Sequence, residues 1–246
     1  MTAAHSTGRK VQVWDLPTRI FHWSLLALVL VAWFTGEAEG AAAMIHRYAG
    51  EGIAGLIVFR VIWGFAGGER ARFADFAAGP SAIVAHVRDL FLQNPKRHLG
   101  HNPLGGLAVF LLLAVVAGVV VTGLFSGGEE SSGPFAGLWG LELSETHEVL
   151  FRMLQGLVVI HVLGVVVESV KARDALVPAM ITGSKRRRAD EPGEDARRAG
   201  IVALTFALAT GVAVSLALMA QQPTADASFD AGDEGRQIEA NEEREW

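Results

Sequence analysis

The sequence predicts an all-α integral membrane helical bundle with five transmembrane helices. Hydrophobic residues occupy 51% of the 246 positions and the mean hydropathy is +0.34, which is too apolar for a soluble α/β protein. The apolar residues gather in five segments of about 20 residues, the length that an α-helix needs to cross a bilayer. We expect these spans at about 18–36, 41–66, 104–125, 146–170 and 200–220.

The first span follows Pro17, a residue that suits the first turn of a helix. Residues 20–34 (IFHWSLLALVLVAWF) are apolar and carry His22 near their start. A signal peptide also has a basic start followed by an apolar core. Two tryptophans within the segment and the spans that follow it favour a retained membrane anchor.

The second span is less hydrophobic than the first. It carries His46, Arg47, Glu51 and Arg60. Charged groups are costly in hydrocarbon, so this helix is expected to face protein or a cofactor rather than lipid. His46, Gly50 and Ala54 share one helix face, and small residues below a histidine leave room for a flat ligand, although they also serve helix packing.

The remaining segments divide the chain into two regions. Residues 1–188 form the predicted membrane domain, which includes a uniformly apolar third span and a short amphipathic interfacial helix at 81–93. Residues 189–246 form a C-terminal extension with the fifth span, which has no ionisable residue. The acidic tail from Gln221 is predicted to be disordered.

Basic residues alternate between the connections. They lie in the N-terminus, 66–103 and 171–198, and are absent from 37–45 and 126–145. The positive-inside rule therefore places the N-terminus in the cytoplasm and the C-terminus outside. The basic run Lys185–Arg188 is explained by topology and contact with anionic membrane lipid, and no nucleic-acid partner is expected.

The fourth span carries His147 and His161, fourteen residues apart. On an α-helix this spacing is about 21 Å of rise and about 40° short of four full turns, so both imidazoles point the same way at different depths. The direction of each span then pairs His46 with His147 near the outer surface, and His22 with His161 near the cytoplasm.

Two imidazoles that face each other across an apolar bundle suit a six-coordinate haem b. They suit zinc poorly, because a structural zinc site needs four ligands and no Cys or nearby carboxylate completes either pair. The chain has no cysteine, so any haem is held without a covalent bond. A lone histidine is more often a packing residue, whereas four histidines at matched depths favour ligation.

Two arginines are further candidates for cofactor binding. Arg60 lies fourteen residues after His46, where it either meets a haem propionate or snorkels to the headgroups. Arg19 stands one turn before His22 and has the same two interpretations, of which snorkelling is favoured.

The other histidines carry less weight. His98 and His101 flank the third span, where they either supply protons to a quinone or have a structural role in the loop, and the structural role is favoured. His5 and His86 give no functional signal.

Several motifs within residues 11–188 are specific in combination. They are VQVWDLPTRIFHW, IHRYAGEGIAGLIVFRVIWGF, ARFADF, GHNPLGG and the paired histidines followed by LVPAMITGSKR. Together they resemble the bacterial cytochrome b561 and nickel–iron hydrogenase b-type cytochrome family. The resemblance implies four transmembrane helices that hold two haems b by bis-histidine ligation, with the ligands on His22, His46, His147 and His161. The fifth span and the tail depart from the four-helix pattern.

The function expected from these features is electron transfer across the bacterial inner membrane. The electrons would pass between a quinone, ubiquinone or menaquinone, and an outer-face redox protein such as a cytochrome c or a hydrogenase. The direction of flow stays open, as does the question of whether the chain is a subunit of a quinone-linked oxidoreductase. The alternatives are a proton channel or transporter with a histidine relay, and a membrane anchor for a soluble enzyme.

Overall fold

The computed structural model describes residues 9–92, 97–127, 133–186 and 194–221. Within these ranges the helices in chain order are α1 (Leu16–Thr35), α2 (Ala41–Ala66), α3 (Phe73–Phe76), α4 (Pro80–Asp89), α5 (Pro103–Leu124), α6 (Ser144–Lys171), α7 (Leu176–Thr182) and α8 (Ile201–Met219). Five of them, α1, α2, α5, α6 and α8, are long and apolar enough to cross a membrane. The prediction of an all-α membrane bundle is confirmed.

Side-chain caps set the starts of two spanning helices. Asp15 Oδ1 accepts a hydrogen bond of 2.9 Å from the Thr18 amide, and Pro17 lies in the first turn of α1. At α5, Asn102 Oδ1 accepts from the Gly105 amide at 2.6 Å. Such caps satisfy amides that have no partner within the helix and contribute about 1 kcal/mol each.

Helix α2 lies at the centre of the bundle. It packs against α1, α5 and α8, and α6 completes the bundle by packing against α5. Over its most apolar stretch α2 is 56% buried, against 6% for α6. The expectation that the second span faces protein therefore agrees with its position, whereas the other spanning helices present apolar side chains to lipid.

The fifth spanning helix is joined closely to α2. A Cβ atom on Gly211 of α8 would lie 2.7 Å from the carbonyl oxygen of Gly55, and one on Gly55 would overlap Gly211 and Ser215. Ser215 Oγ donates a hydrogen bond of 2.9 Å to the Glu51 carbonyl. Glycine allows the two backbones to approach this far, so α8 is packed as tightly as the helices of the predicted membrane domain. The boundary at residue 188 stays a prediction.

A small polar cap covers one end of the bundle and was not predicted. Strand β1 (Lys10–Gln12) pairs antiparallel with β2 (Ser184–Arg186), with Val11 opposite Lys185. The Ala196 amide donates to the Gln12 carbonyl at 3.0 Å, which holds the segment before α8 against the same strand. We call this the capped end; the turns at 36–40, 125–127 and 133–143 lie at the opposite end.

Some predicted features differ from the structure or fall outside its described ranges. The amphipathic helix ends at Asp89 rather than at residue 93, and residues 93–96 are outside the described ranges. Residues 187 and 188 of the basic run, His5 and the acidic tail beyond Gln221 also lie outside them.

Candidate functional site

His46 and His147 lie side by side at the opposite end of the bundle. His46 is in the second turn of α2 and His147 is in the first turn of α6. Their ring centroids are 6.2 Å apart and the ring planes are inclined by 83°. The structure therefore brings together two histidines that are 101 residues apart in sequence.

Each of these rings is oriented by a backbone carbonyl. His46 Nδ1 is 2.8 Å from the Ala32 carbonyl of α1, and His147 Nδ1 is 2.8 Å from the Val119 carbonyl of α5. A carbonyl only accepts, so Nδ1 carries the proton and Nε2 carries the lone pair in both rings. This is the arrangement typical of metal-bound histidines, whose second nitrogen donates to a carbonyl or carboxylate.

The spacing of the two rings fits a single iron atom. With metal–nitrogen bonds of about 2 Å, two imidazoles on opposite sides of one metal have centroids roughly 6 Å apart. The 6.2 Å between His46 and His147 agrees with that value. The residues present at this end therefore fit a bis-histidine haem in both distance and tautomer.

Glycines make room for the two imidazoles. A Cβ on Gly123 of α5 would lie 3.0 Å from His147 Cε1, and one on Gly36 would lie 3.5 Å from His46 Cε1. Gly50, one turn after His46, has open space of at least 4 Å where a Cβ would be. The predicted open space beside His46 is thus present. At position 123, the close approach of His147 leaves little room for any side chain.

His22 and His161 lie toward the capped end. His22 interacts electrostatically with His161, and its ring meets Trp23 edge to face at 5.1 Å. His22 Nδ1 is buried and has no hydrogen-bond partner among the described residues. This pair therefore differs from His46 and His147, whose Nδ1 atoms are both bonded to carbonyls.

Arg60 is buried at the same end rather than extended to the surface. It is only 3% exposed, and its guanidinium carbon lies 4.8 Å from the centroid of the Phe73 ring. Within the described ranges its Nη1 has no hydrogen-bond partner. A buried guanidinium with an unused donor fits an anionic ligand such as a carboxylate, and the burial removes the snorkelling interpretation.

Arg19 has a different environment. Its Nη2 donates to the Ile181 carbonyl of α7, and a Cβ on Gly183 would lie 3.0 Å from Nη1. Its Nε is buried without a partner in the described part of the chain. Arg19 therefore fastens α7 to α1 and keeps one further donor at the capped end.

His101 packs between two aromatic rings beside Arg60. Its ring centroid lies 4.6 Å from Trp14 and 4.4 Å from Phe76. Burial, and then the nearby charges of Arg60, Lys185 and His161, lower its pKa to about 3. His101 is consequently neutral at physiological pH, which agrees with the favoured structural role.

Comparison with known proteins identifies the family. Residues 13–183 match the family model described as prokaryotic cytochrome b561. The chain belongs to the prokaryotic cytochrome b561 family. The protein is accordingly a multi-pass membrane b-type cytochrome that holds haem b and transfers electrons. No solved structure matches the chain.

Named relatives of this cytochrome are hydrogenase subunits. The chain is 27% identical over 225 residues to a probable Ni/Fe-hydrogenase B-type cytochrome subunit of Rhizobium leguminosarum bv. viciae, covering 74% of this chain and 94% of that protein. The subunit of the same name from Azotobacter vinelandii is 28% identical over 74% of this chain and 91% of its own. The probable Ni/Fe-hydrogenase 1 B-type cytochrome subunit of Escherichia coli strain K12 is 22% identical over 72% of this chain and 91% of its own.

The cytochrome also has a cluster of buried charges at the capped end that the sequence did not reveal. Asp174 accepts from Arg97 at 2.8 Å and from Lys185 at 2.6 Å, and all three side chains are at most 8% exposed. Burial raises the pKa of Asp174, but the bonds from Arg97 and Lys185 outweigh it and hold that pKa below its usual value. Asp174 is therefore ionised, and the cluster ties the start of α7 to β2.

A second buried pair adjoins this cluster. His86 Nε2 of α4 lies 3.5 Å from Glu168 Oε2 of α6. One feature of the sequence points to the burial of His86. Ile83, His86 and Leu90 stand at positions i, i+3 and i+7, so His86 shares a helix face with two apolar residues. Nothing in the sequence indicates that Glu168, near the end of an apolar helix, pairs with His86.

Proposed function

We propose that this cytochrome carries electrons across the membrane through two bis-histidine haems b. His46 and His147 would hold the haem at the opposite end, and His22 and His161 the haem at the capped end. The observation that carries the proposal is the pair of carbonyl-oriented rings with centroids 6.2 Å apart. The depth argument supports the second pair, since His161 lies about 21 Å along α6 from His147.

The chain's own groups hold and tune the two sites. Bound haem supplies one-electron chemistry at iron, and the protein sets its potential by ligand basicity, burial and nearby charge. The Ala32 and Val119 carbonyls keep a proton on Nδ1 of His46 and His147, which raises the basicity of Nε2. Arg60 would bind a propionate of the haem at the capped end through Nη1, and Arg19 would add its Nε.

Partners follow from the family and from the charge pattern. We place the protein in the bacterial inner membrane with the capped end in the cytoplasm, because the basic connections lie there. The relatives are named as hydrogenase subunits, so a hydrogenase is the favoured redox partner at the outer face, with a c-type cytochrome as the alternative. A membrane quinone, ubiquinone or menaquinone, would exchange electrons with the other haem.

Substitution of each histidine tests the assignment. We expect His46→Ala and His147→Ala each to abolish the same redox component, because both rings bind one iron. His22→Ala and His161→Ala should each abolish the other component. The measurements are haem content and a redox titration of the purified protein, followed in the visible spectrum before and after dithionite.

Each pair serves as the control for the other. Two components at distinguishable potentials are expected, since only one pair has both Nδ1 atoms bonded to carbonyls. If His22→Ala removed the same component as His147→Ala, the pairing would be wrong. Full haem content in all four variants would refute ligation by these histidines.

A further inference from the structure

The pair Glu168–His86 is a buried acid and base with no part in haem ligation. The two side chains are 8% and 3% exposed, and Nε2 and Oε2 are 3.5 Å apart. A buried carboxylate is costly unless charge or hydrogen bonds compensate it. A proton on His86 would convert this contact into an ion pair, and the carboxylate of Glu168 therefore favours the binding of a proton there.

The charges around the pair balance when His86 is neutral. Facing it are His98, whose ring centroid is 5.3 Å from that of His86, and Lys185, which interacts electrostatically with Glu168. Lys185 and Arg97 both bind Asp174. Among the groups that the structure describes there, these two cations balance the carboxylates of Asp174 and Glu168, so an added negative charge nearby leaves the cluster one positive charge short.

The pair lies close to the proposed haem at the capped end. Glu168 follows His161 by seven residues, which is about 10 Å of rise and roughly 20° from the same helix face. Glu168 is twenty-one residues from His147, or about 31 Å of rise. The interaction energy of two charges falls in inverse proportion to their distance, so in the same medium a charge about 10 Å from the pair acts on it about three times as strongly as one about 31 Å away.

We propose that the Glu168–His86 pair takes up one proton when the site held by His22 and His161 gains one electron. The electron comes from the redox partner or from a chemical reductant, and the proton comes from water at the capped end and binds the imidazole of His86. On oxidation the electron passes to the acceptor and the proton returns to water. The inference rests on the proposed function, and it makes electron transfer at this end proton-coupled.

A redox titration over the range in which histidine titrates, about pH 5 to 8, tests the coupling. Reduction favours the protonated pair, so the potential of the component lost in His161→Ala should fall as pH rises. For one electron and one proton the slope approaches about 59 mV per tenfold change in proton activity. The component lost in His147→Ala should depend on pH much less.

Glu168→Gln and His86→Asn should remove this slope while both components remain. The matched control is Glu148→Gln, which changes an exposed acid of the same helix that pairs with Arg152 at the other end. It should leave the slope unchanged. An unaltered slope in both Glu168→Gln and His86→Asn, or an equal slope for both redox components, would overturn the inference.

Infrared difference spectra of the wild type provide a test that does not depend on the variants folding. Reduction in H₂O and in D₂O should give isotope-sensitive imidazole bands, and their absence would contradict proton uptake by His86. The two hypotheses also fail differently. A protein without two redox components refutes the proposed function, whereas two pH-independent components refute only the coupling.

Discussion

At the scale of the residue, the two histidine pairs differ in what holds each ring. His46 and His147 donate Nδ1–H to carbonyls of neighbouring helices, whereas His22 Nδ1 has no such partner in the described ranges. A ring held by a carbonyl keeps one orientation and is the more basic ligand. Ligand basicity is one of the means by which a protein sets the potential of an iron, so two haems held by these pairs would differ in potential.

Gly123 gives a test of this orientation. A Cβ there would lie 3.0 Å from His147 Cε1 and 3.1 Å from Nδ1, while Nδ1 is held 2.8 Å from the Val119 carbonyl. We expect Gly123→Ala to tilt the ring and weaken haem binding at His46 and His147 by roughly tenfold, since overpacking costs about 1–3 kcal/mol and 1.4 kcal/mol is tenfold. Haem content and the redox titration measure the effect.

Gly118→Ala is the control for this substitution. It is on the same helix, and its Cβ would lie 3.2 Å from Leu150 Cδ1, the far end of a flexible side chain. This variant should keep both components. An equal loss of haem in the two variants would show that α5 tolerates no added side chain, and would remove the argument for ring orientation.

At the scale of the element, helix geometry explains why the proximity of His46 and His147 was predictable. A helix rises 1.5 Å per residue, so the positions of His147 and His161 in one apolar segment fix their relative depth and face. The direction of each span then gives the partner histidine without any knowledge of packing. The proximity of His46 and His147 follows from those two facts.

The cap could not be predicted for equally physical reasons. Strands β1 and β2 are three residues long and too short to show an alternating pattern, and they pair across more than 170 residues of sequence. His86 and Glu168 lie on different helices that local periodicity does not relate to one another. Close packing between α2 and α8 likewise depends on the register of Gly55 against Gly211, which neither helix specifies alone.

The packing of α8 can be tested at Gly211. Gly211→Leu should push α8 away from α2, because any Cβ there lies 2.7 Å from a backbone carbonyl that cannot rotate aside. We expect a lower melting temperature in detergent with both redox components retained, since all four proposed ligands lie outside α8. Val212→Leu, at an exposed position of the same helix, is the control and should melt like the wild type.

At the scale of the whole molecule, the two ends of the bundle have different polar groups. The capped end holds Arg97, Asp174 and Lys185 as buried charges, and the adjoining connections carry most of the other basic residues. The opposite end has acidic turns, and residues 126–145 contain no Lys or Arg. The proton uptake proposed for the Glu168–His86 pair would therefore take place at the basic end of the bundle.

Orientation decides which compartment supplies that proton. Basic connections are retained on the cytoplasmic side, so the capped end should face the cytoplasm and the end of α8 should face outward. An alkaline phosphatase fused after residue 225 should be active, because that enzyme requires the oxidising exterior, and one fused near residue 190 should be inactive. A green fluorescent reporter at the same two positions is the control and should give the opposite pattern. Reversed activities would place the Glu168–His86 pair outside the cell and the pair His46 and His147, proposed to face the hydrogenase, inside.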